Sequence, residues 1–321
     1  MLDRRALLAA TPALAAALAA ARPTAAQQAF ASLRMFIPAG PGGGWDGLGR
    51  AIEQVLRGAG MVGSFQFENV GGAGGTVGLP RFMARRGQGD TLMVGGAVMV
   101  GAVLTNKTPV GLKDVTPIAR LTDEAGVIVV PASSPLQNIG QFMEALKAEP
   151  GAISIGGGSA GGIDHITLGL MLKAVGRNAR EGSYVAYAGG GPAQAAILGA
   201  QVAAGISGLS EFSEQVKAGR MRALATTGAR RADPGIPTLK ESGFDVVTTN
   251  WRGVFGAPAI SAGQKTALVN LMTAMHAQPA WKEILATRGW DDAFLAGEAF
   301  QKFIADDTAA TEAVLKDLGL A

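Results

Sequence analysis

Gly157-Gly158-Ser159-Ala160-Gly161 places a hydroxyl at the centre of a G-x-S-x-G pentad, the pattern in which a strand-to-helix turn lifts a nucleophilic serine out of an α/β sheet. Such a serine needs a histidine as base and an acid to orient it. The chain has two histidines, His165 and His276. His165 falls one turn inside the helix expected after Ser159, whereas the hydrolase order wants its histidine far downstream. His276 is downstream, but it closes an expected helix built on Leu268, Leu271, Met272 and Met275, where a helix C-terminus favours a cation. A secreted serine hydrolase using Ser159 is therefore the alternative reading. The absence of cysteine excludes a thiol nucleophile, and two distant histidines disfavour zinc.

A second chemistry is carried by four loops that share one order of strand, glycines and helix start: Gly40 to Asp46, Gly71 to Thr76, Gly156 to Gly162, and Gly189 to Pro192. Each leaves free backbone N–H groups at a helix N-terminus, where the helix dipole favours an anion. Gly42, Gly43, Gly44, Gly74, Gly75, Gly157, Gly158, Gly189 and Gly190, with Pro192, are the candidate main-chain cradle for a carboxylate or phosphate. Gly156, Gly158 and Gly161 also satisfy G-x-G-x-x-G, with Glu181 at ribose-contact distance in sequence. A single match among 47 glycines is weak, and no G-x-x-x-x-G-K-[ST] loop exists, so no nucleotide or other cofactor is expected.

Few side chains accompany these loops. Asp46 is placed to cap the helix starting near Gly47, and Trp45 is either a cleft wall or a packing residue. Arg252 in "NWRGVF" is a guanidinium suited to bidentate carboxylate binding, or else a structural arginine. Ser207, Ser210 and Asn250 are polar residues at strand ends that could donate hydrogen bonds.

The elements that must position these residues read as βαβ grammar. "SLRMFIPAG" precedes a helix with Leu48, Ile52, Val55 and Leu56 on one face, and "SFQFENVGGAGG" precedes a helix carrying Val77, Phe82 and Met83. "TLMVGGA", "EAGVIVVPASS", "AISIGGG", "SYVAYAGGG", "QVAAGISG" and "RMRALATTG" read as further strands. Asn138 and Gln141 form a capping-box pattern, Pro192 suits a first helical position, and a helix runs from Ser210 to Gly219. Helices are expected again from Ser261 to about Ala277, from Pro279 to Arg288 and from Glu298 to Leu318, after a strand-like "FDVVTTNWRGVFGAP". The fold class is thus α/β with mostly parallel sheets and helices on both faces. Extended segments around residues 121 to 130 and 245 to 256 are expected to link two domains, one discontinuous (27–122 plus 252–321) and one inserted (123–251), with a cleft between them.

Residues 1–26 read as an export signal, with an Arg4-Arg5 pair, an Ala/Leu stretch broken by Pro12, and small residues before Gln27. The paired arginines point to the twin-arginine route, although a Sec signal can look similar. Loss of Arg4, Arg5, Arg22 and Asp3 with the leader takes the formal charge from +3 to about +1. That gives no basis for a nucleic-acid partner.

Taken in order from about Ser32 onward, "PAGPGGGWD", "ENVGGAGGTVGL", "GGGSAGGIDH", "YAGGGPAQAAILGAQV", "KAGRMRALATTGARR" and "IPTLKESGF" resemble the tripartite tricarboxylate transporter substrate-binding proteins, the Bug family. The resemblance implies a monomeric periplasmic binding protein of type II-like fold, with two α/β domains closing on a small carboxylate. It implies no catalysis, and delivery of the ligand to a large and a small membrane subunit of the transporter. An orphan receptor feeding a sensor kinase is a further alternative. The family's carboxylate loops map onto Gly42 to Asp46 and Gly157 to His165, with Gly189, Gly190 and Pro192 from a third block. "GGGWD" and "NWRGVFGAP" look closer to the tricarboxylate branch, which favours citrate or a similar acid. Where amino-acid-binding relatives carry an acidic residue after the central strand this chain has "SGLS", so an ammonium ligand is not expected.

Overall fold

The structure, a computed structural model, describes residues 30–321; the expected export signal lies outside the described residues. The chain first lays down β1 (Phe30–Ile37), α1 (Gly44–Gly58), β2 (Val62–Asn69), α2 (Leu79–Met83), β3 (Thr91–Gly96), α3 (Ala97–Thr105) and β4 (Thr116–Asp123). It continues with β5 (Gly126–Pro131), α4 (Ile139–Ala148), β6 (Ser154–Gly157), α5 (Ile163–Ala174), β7 (Ser183–Ala186), α6 (Gly190–Leu198), β8 (Ala204–Gly208), α7 (Leu209–Lys217) and β9 (Met221–Thr226). It ends with β10 (Arg252–Gly256), α8 (Ala262–His276), α9 (Pro279–Arg288), β11 (Asp291–Ala296) and α10 (Gly297–Asp317).

Two sheets result. The first has the order β11-β4-β10-β3-β1-β2 and the second the order β7-β6-β8-β5-β9. β1 runs parallel to β2 and β3, and β6 parallel to β7 and β8. β10 is antiparallel to both its neighbours, and so is β5. These are the two strands that bring the chain across from the other lobe. The carboxyl ends of the parallel strands face the cleft, so a segment arriving from the cleft side can join a sheet only by running the opposite way. The mostly parallel sheets read from the sequence therefore carry reversed strands, β10 and the edge strand β11 in the first and β5 in the second.

The cores follow the periodicities that define the elements. Leu48, Ile52, Val55 and Leu56 of α1 are buried in one cluster with Leu33, Met35 and Ile37 of β1. In β5, Val127 and Val129 join a cluster with Ile197 and Phe212, while Ile128 and Val130 face Phe142, Leu146 and Leu168. Strict alternation thus feeds two apolar layers, as expected for a strand covered on both faces.

Several elements differ from the sequence expectation. The helix expected around Val77 is a 3-10 turn over Ala73–Gly75 followed by the five-residue α2. α3, "AVMVGAVLT", follows β3 as one unbroken apolar run, so period could not separate helix from strand there. Only Arg252–Gly256 of the expected strand over 245 to 256 is a strand, and β11 pairs at a sheet edge that no expectation covered. Pro192 is the third residue of α6 and not the first. Asn138 does cap α4 by accepting from the Gln141 N–H, but the Gln141 side chain turns to the Gln137 N–H, so the box is half closed. The C-terminal end of α10 leaves the first lobe and docks Leu315 and Leu318 beside Ile166 and Ala179 of the second. No described helix is long and apolar enough to cross a membrane.

Candidate functional site

Two chain segments cross between the lobes side by side. Ala125 pairs with Thr249 in an antiparallel bridge, and the Asn250 N–H donates to the Glu124 carbonyl at 2.8 Å. Directly beneath, Arg252 Nη1 donates to Glu124 Oε2 at 2.5 Å, with each side chain only 1 % exposed. The second Glu124 oxygen accepts the Ser210 N–H at 2.5 Å. Burial opposes the charge of Arg252, but the carboxylates of Glu124 and Glu211 outweigh it and hold the guanidinium protonated. Glu124 thus takes one nitrogen of Arg252, the structural role the sequence allowed, while Arg252 Nε is buried without a partner.

Above this pair lies a cavity of about 60 Å³ between the lobes, walled by the loops that open α1, α5 and α6. Among the residues singled out from the sequence, Gly43, Gly44, Trp45, Gly74, Gly75, Gly158, Ser159, Gly189, Gly190, Pro192, Ser207, Asn250 and Arg252 line it. Trp45 is 6 % exposed and is at once wall and core. Asn250 is buried with its Oδ1 unpartnered.

Gly42, Asp46, Gly157 and His165 do not line the cavity. Asp46 is no N-cap: α1 starts at Gly44 with Gly43 as its cap residue, and Asp46 sits in the first turn. There it accepts the Gly42 N–H at 3.2 Å and Asn69 Nδ2 at 3.1 Å, bracing the loop from behind. Gly42 adopts a φ of +81° in that braced turn, and Gly157 ends β6. His165 Nδ1 accepts the Gly161 N–H at 3.1 Å and its ring stacks on Tyr184 at 4.3 Å. Burial pushes its pKa down, which suits a neutral acceptor. His165 thus orders the loop, and no hydrogen bond joins it to Ser159 among the described residues. His276 pairs with Asp292 at 2.9 Å, remote from the cavity, so the hydrolase constellation does not assemble.

Three acidic residues went unread in the sequence. Asp164, in the first turn of α5, accepts the Gly158 N–H at 2.8 Å, and burial lifts its pKa to about 7 against that hydrogen bond. Glu124 holds Arg252. Glu211, in the first turn of α7, accepts from Ser207 Oγ and, across the cleft, from the Gly44 N–H. Burial raises the pKa of Glu211, with Arg252 acting against the rise. The "SGLS" reading stopped one residue short: Glu211, four positions after Ser207, brings an acid to the place the expectation left empty. Helical spacing of i, i+4 was the available signal.

Two glycines let charged side-chain ends close on the main chain here. A Cβ on Gly44 would lie 2.5 Å from Arg252 Nη2, and one on Gly190 would collide with the Glu211 carboxylate. The main chain therefore approaches the charged groups directly, as an anion cradle at helix N-termini must.

Arg252→Met leaves Glu124 buried without its partner, and a loss of about 3–5 kcal/mol in urea unfolding is expected. Adding Glu124→Leu should recover most of that loss; a single variant within about 1 kcal/mol of wild type contradicts the pairing. Asp164 carries a folded-state pKa of about 7 against an ordinary 3.8, so its cost to stability is nil well below pH 3.8 and complete above pH 7. Asp164→Asn should melt above wild type at pH 8, and the gap should close as pH falls from 7 towards 4. A gap independent of pH contradicts the assignment.

Comparison with known proteins bears on this geometry. The sequence model of a family described as "Tripartite tricarboxylate transporter family receptor" matches residues 62–320. Protein BugT of Bordetella pertussis is 26 % identical over 296 residues, covering 89 % of each chain. Among solved structures, the periplasmic binding protein BugD aligns with a TM-score of 0.81 at 23 % identity, over 90 % of this chain and 98 % of that one. A structure described as R. palustris Rpa4515 with adipate aligns with a TM-score of 0.82 at 22 % identity, over 90 % and 97 %. The fold is that of the two-domain periplasmic binding proteins.

Proposed function

The chain belongs to the tripartite tricarboxylate transporter receptor family, and from that premise we propose that it captures a small carboxylate in the cleft and delivers it to the membrane subunits of such a transporter. Its relatives are solute-binding receptors and not enzymes. The observation that carries the proposal is that the cradle already holds a carboxylate. The Glu211 side chain lies against the Gly44 N–H at the start of α1 and beside Gly190 at the start of α6. A place that accommodates one carboxylate through main-chain dipoles suits another.

In this reading the two lobes close on the solute by bending at the crossing segments near Glu124 and Asn250. Closure creates the face that the large and small membrane subunits recognise. The protein works as a monomer in the periplasm, exported through the Arg4-Arg5 signal.

Citrate is the ligand suggested by "GGGWD" and "NWRGVF", but the charge of the cleft argues for fewer carboxylates. Arg252 is neutralised by Glu124, while Glu211 and Asp164 line the same cavity. Like charges brought together in a dry site cost more than in water. A mono- or dicarboxylate therefore fits better than a tricarboxylate.

Calorimetric titration against propionate, succinate, malate, adipate and citrate tests this. One site is expected, filled by at least one mono- or dicarboxylate about tenfold more tightly than by citrate, a difference of about 1.4 kcal/mol. No heat with any of the five acids overturns the receptor reading.

A further inference from the structure

The carboxylate in the cradle belongs to the other lobe from the helix it meets. Glu211 stands on α7, above the second sheet, and Gly44 opens α1, above the first. One Glu211 oxygen accepts the Gly44 N–H and the other accepts Ser207 Oγ. A Cβ on Gly43 would lie 3.8 Å from Glu211 Oε1 and 3.9 Å from the Gly190 nitrogen, so the openings of α1 and α6 converge on this one group. α1 has no side-chain cap of its own, nor does α6. The foreign carboxylate supplies to α1 what an N-cap side chain otherwise would. Across the same seam, Trp290 Nε1 of the first lobe donates to Ser210 Oγ of α7 at 3.1 Å. The buried Asn250 Oδ1 faces the same cavity without a partner.

We propose that Glu211 is a resident internal ligand: its carboxylate clasps the two lobes across the cleft, and a solute carboxylate binds by displacing it from the Gly44 amide. The proposal deepens the receptor reading and rests on it for the identity of the displacing group. It follows that Glu211 sets charge selectivity. Once displaced, its side chain remains tethered to α7 at the cleft wall, and its charge opposes each further carboxylate that the solute brings. Solutes with fewer carboxylates pay less of this repulsion.

The test uses the mature chain, with succinate and citrate as probes. Glu211→Ala should give a larger radius of gyration in X-ray scattering without solute. It should bind succinate about tenfold more tightly, the factor by which a population clasped for about nine-tenths of the time lowers apparent affinity. Citrate should gain more than succinate. Glu211→Gln keeps the size of the side chain and should show the same changes in smaller degree, which protects the test if the alanine variant fails to fold. Gly190→Ala expels the carboxylate sterically but keeps its charge, so it should open the lobes without the extra gain for citrate.

An unchanged radius together with unchanged or weaker succinate binding in both Glu211 variants overturns the clasp, and wild-type binding of succinate then still leaves the receptor reading intact. Opening of the variants with no binding of either acid supports the clasp and counts against the carboxylate reading instead.

Discussion

The buried ion pair between Arg252 and Glu124 is the constraint around which the rest of the molecule is arranged. It lies where both crossing segments pass between the lobes, and each member is almost wholly removed from water. Such a pair costs desolvation energy and holds only if its remaining hydrogen-bonding capacity is met. The Ser210 N–H meets part of it, bonding the Glu124 oxygen that Arg252 Nη1 leaves, while Arg252 Nε stays without a partner. Because Ser210 opens α7, the same pair fixes the position of the helix that carries Glu211. The absence of a Cβ at Gly44 lets α1 begin directly over the guanidinium. One charged pair thus registers the start of a helix from each lobe.

That arrangement decides how the cleft recognises an anion. With the charge of the guanidinium balanced by Glu124, attraction comes from main-chain N–H groups at the openings of α1 and α6, and from the residual field of a neutralised arginine. Main-chain dipoles bind an anion without the large desolvation penalty of a free buried cation. They also discriminate poorly by charge number, so selectivity has to come from what surrounds them. Here the surroundings are acidic: Glu211 and Asp164 flank the cavity, and burial holds both pKa values up. The cleft is therefore built to take a carboxylate while resisting an accumulation of negative charge.

Much of this was legible in the sequence, and the parts that were not have physical reasons. The α1 face of Leu48, Ile52, Val55 and Leu56 carries the period that burial demands and is buried as that period requires, and the continuous apolar run of β5 is covered on both faces. The glycine loops stood out because bare strand-to-helix turns are compositionally unusual, and most of their residues meet at one cavity. α3 could not be told from a strand, since a continuous apolar run has no period to read. The role of Arg252 was invisible for a different reason: its partner lies 128 positions away and is chosen by the crossing of two segments. Glu211 follows "SGLS" directly, yet its bond to Gly44 spans 167 positions and depends on how the lobes meet. His165 matched a motif but serves the loop that carries the motif, because stacking on Tyr184 and a bond from Gly161 hold its ring away from the cavity.

Main-chain amides, and not the arginine, are proposed to hold the solute's carboxylate. A crystal structure with the tightest-binding carboxylate tests this most directly. A solute oxygen should lie within hydrogen-bonding distance, about 3 Å, of the Gly44 nitrogen, with Glu211 turned away from that amide and Arg252 still paired with Glu124. A solute carboxylate forked onto Arg252, with Glu124 released and the Gly44 amide still bonded to Glu211, would contradict it.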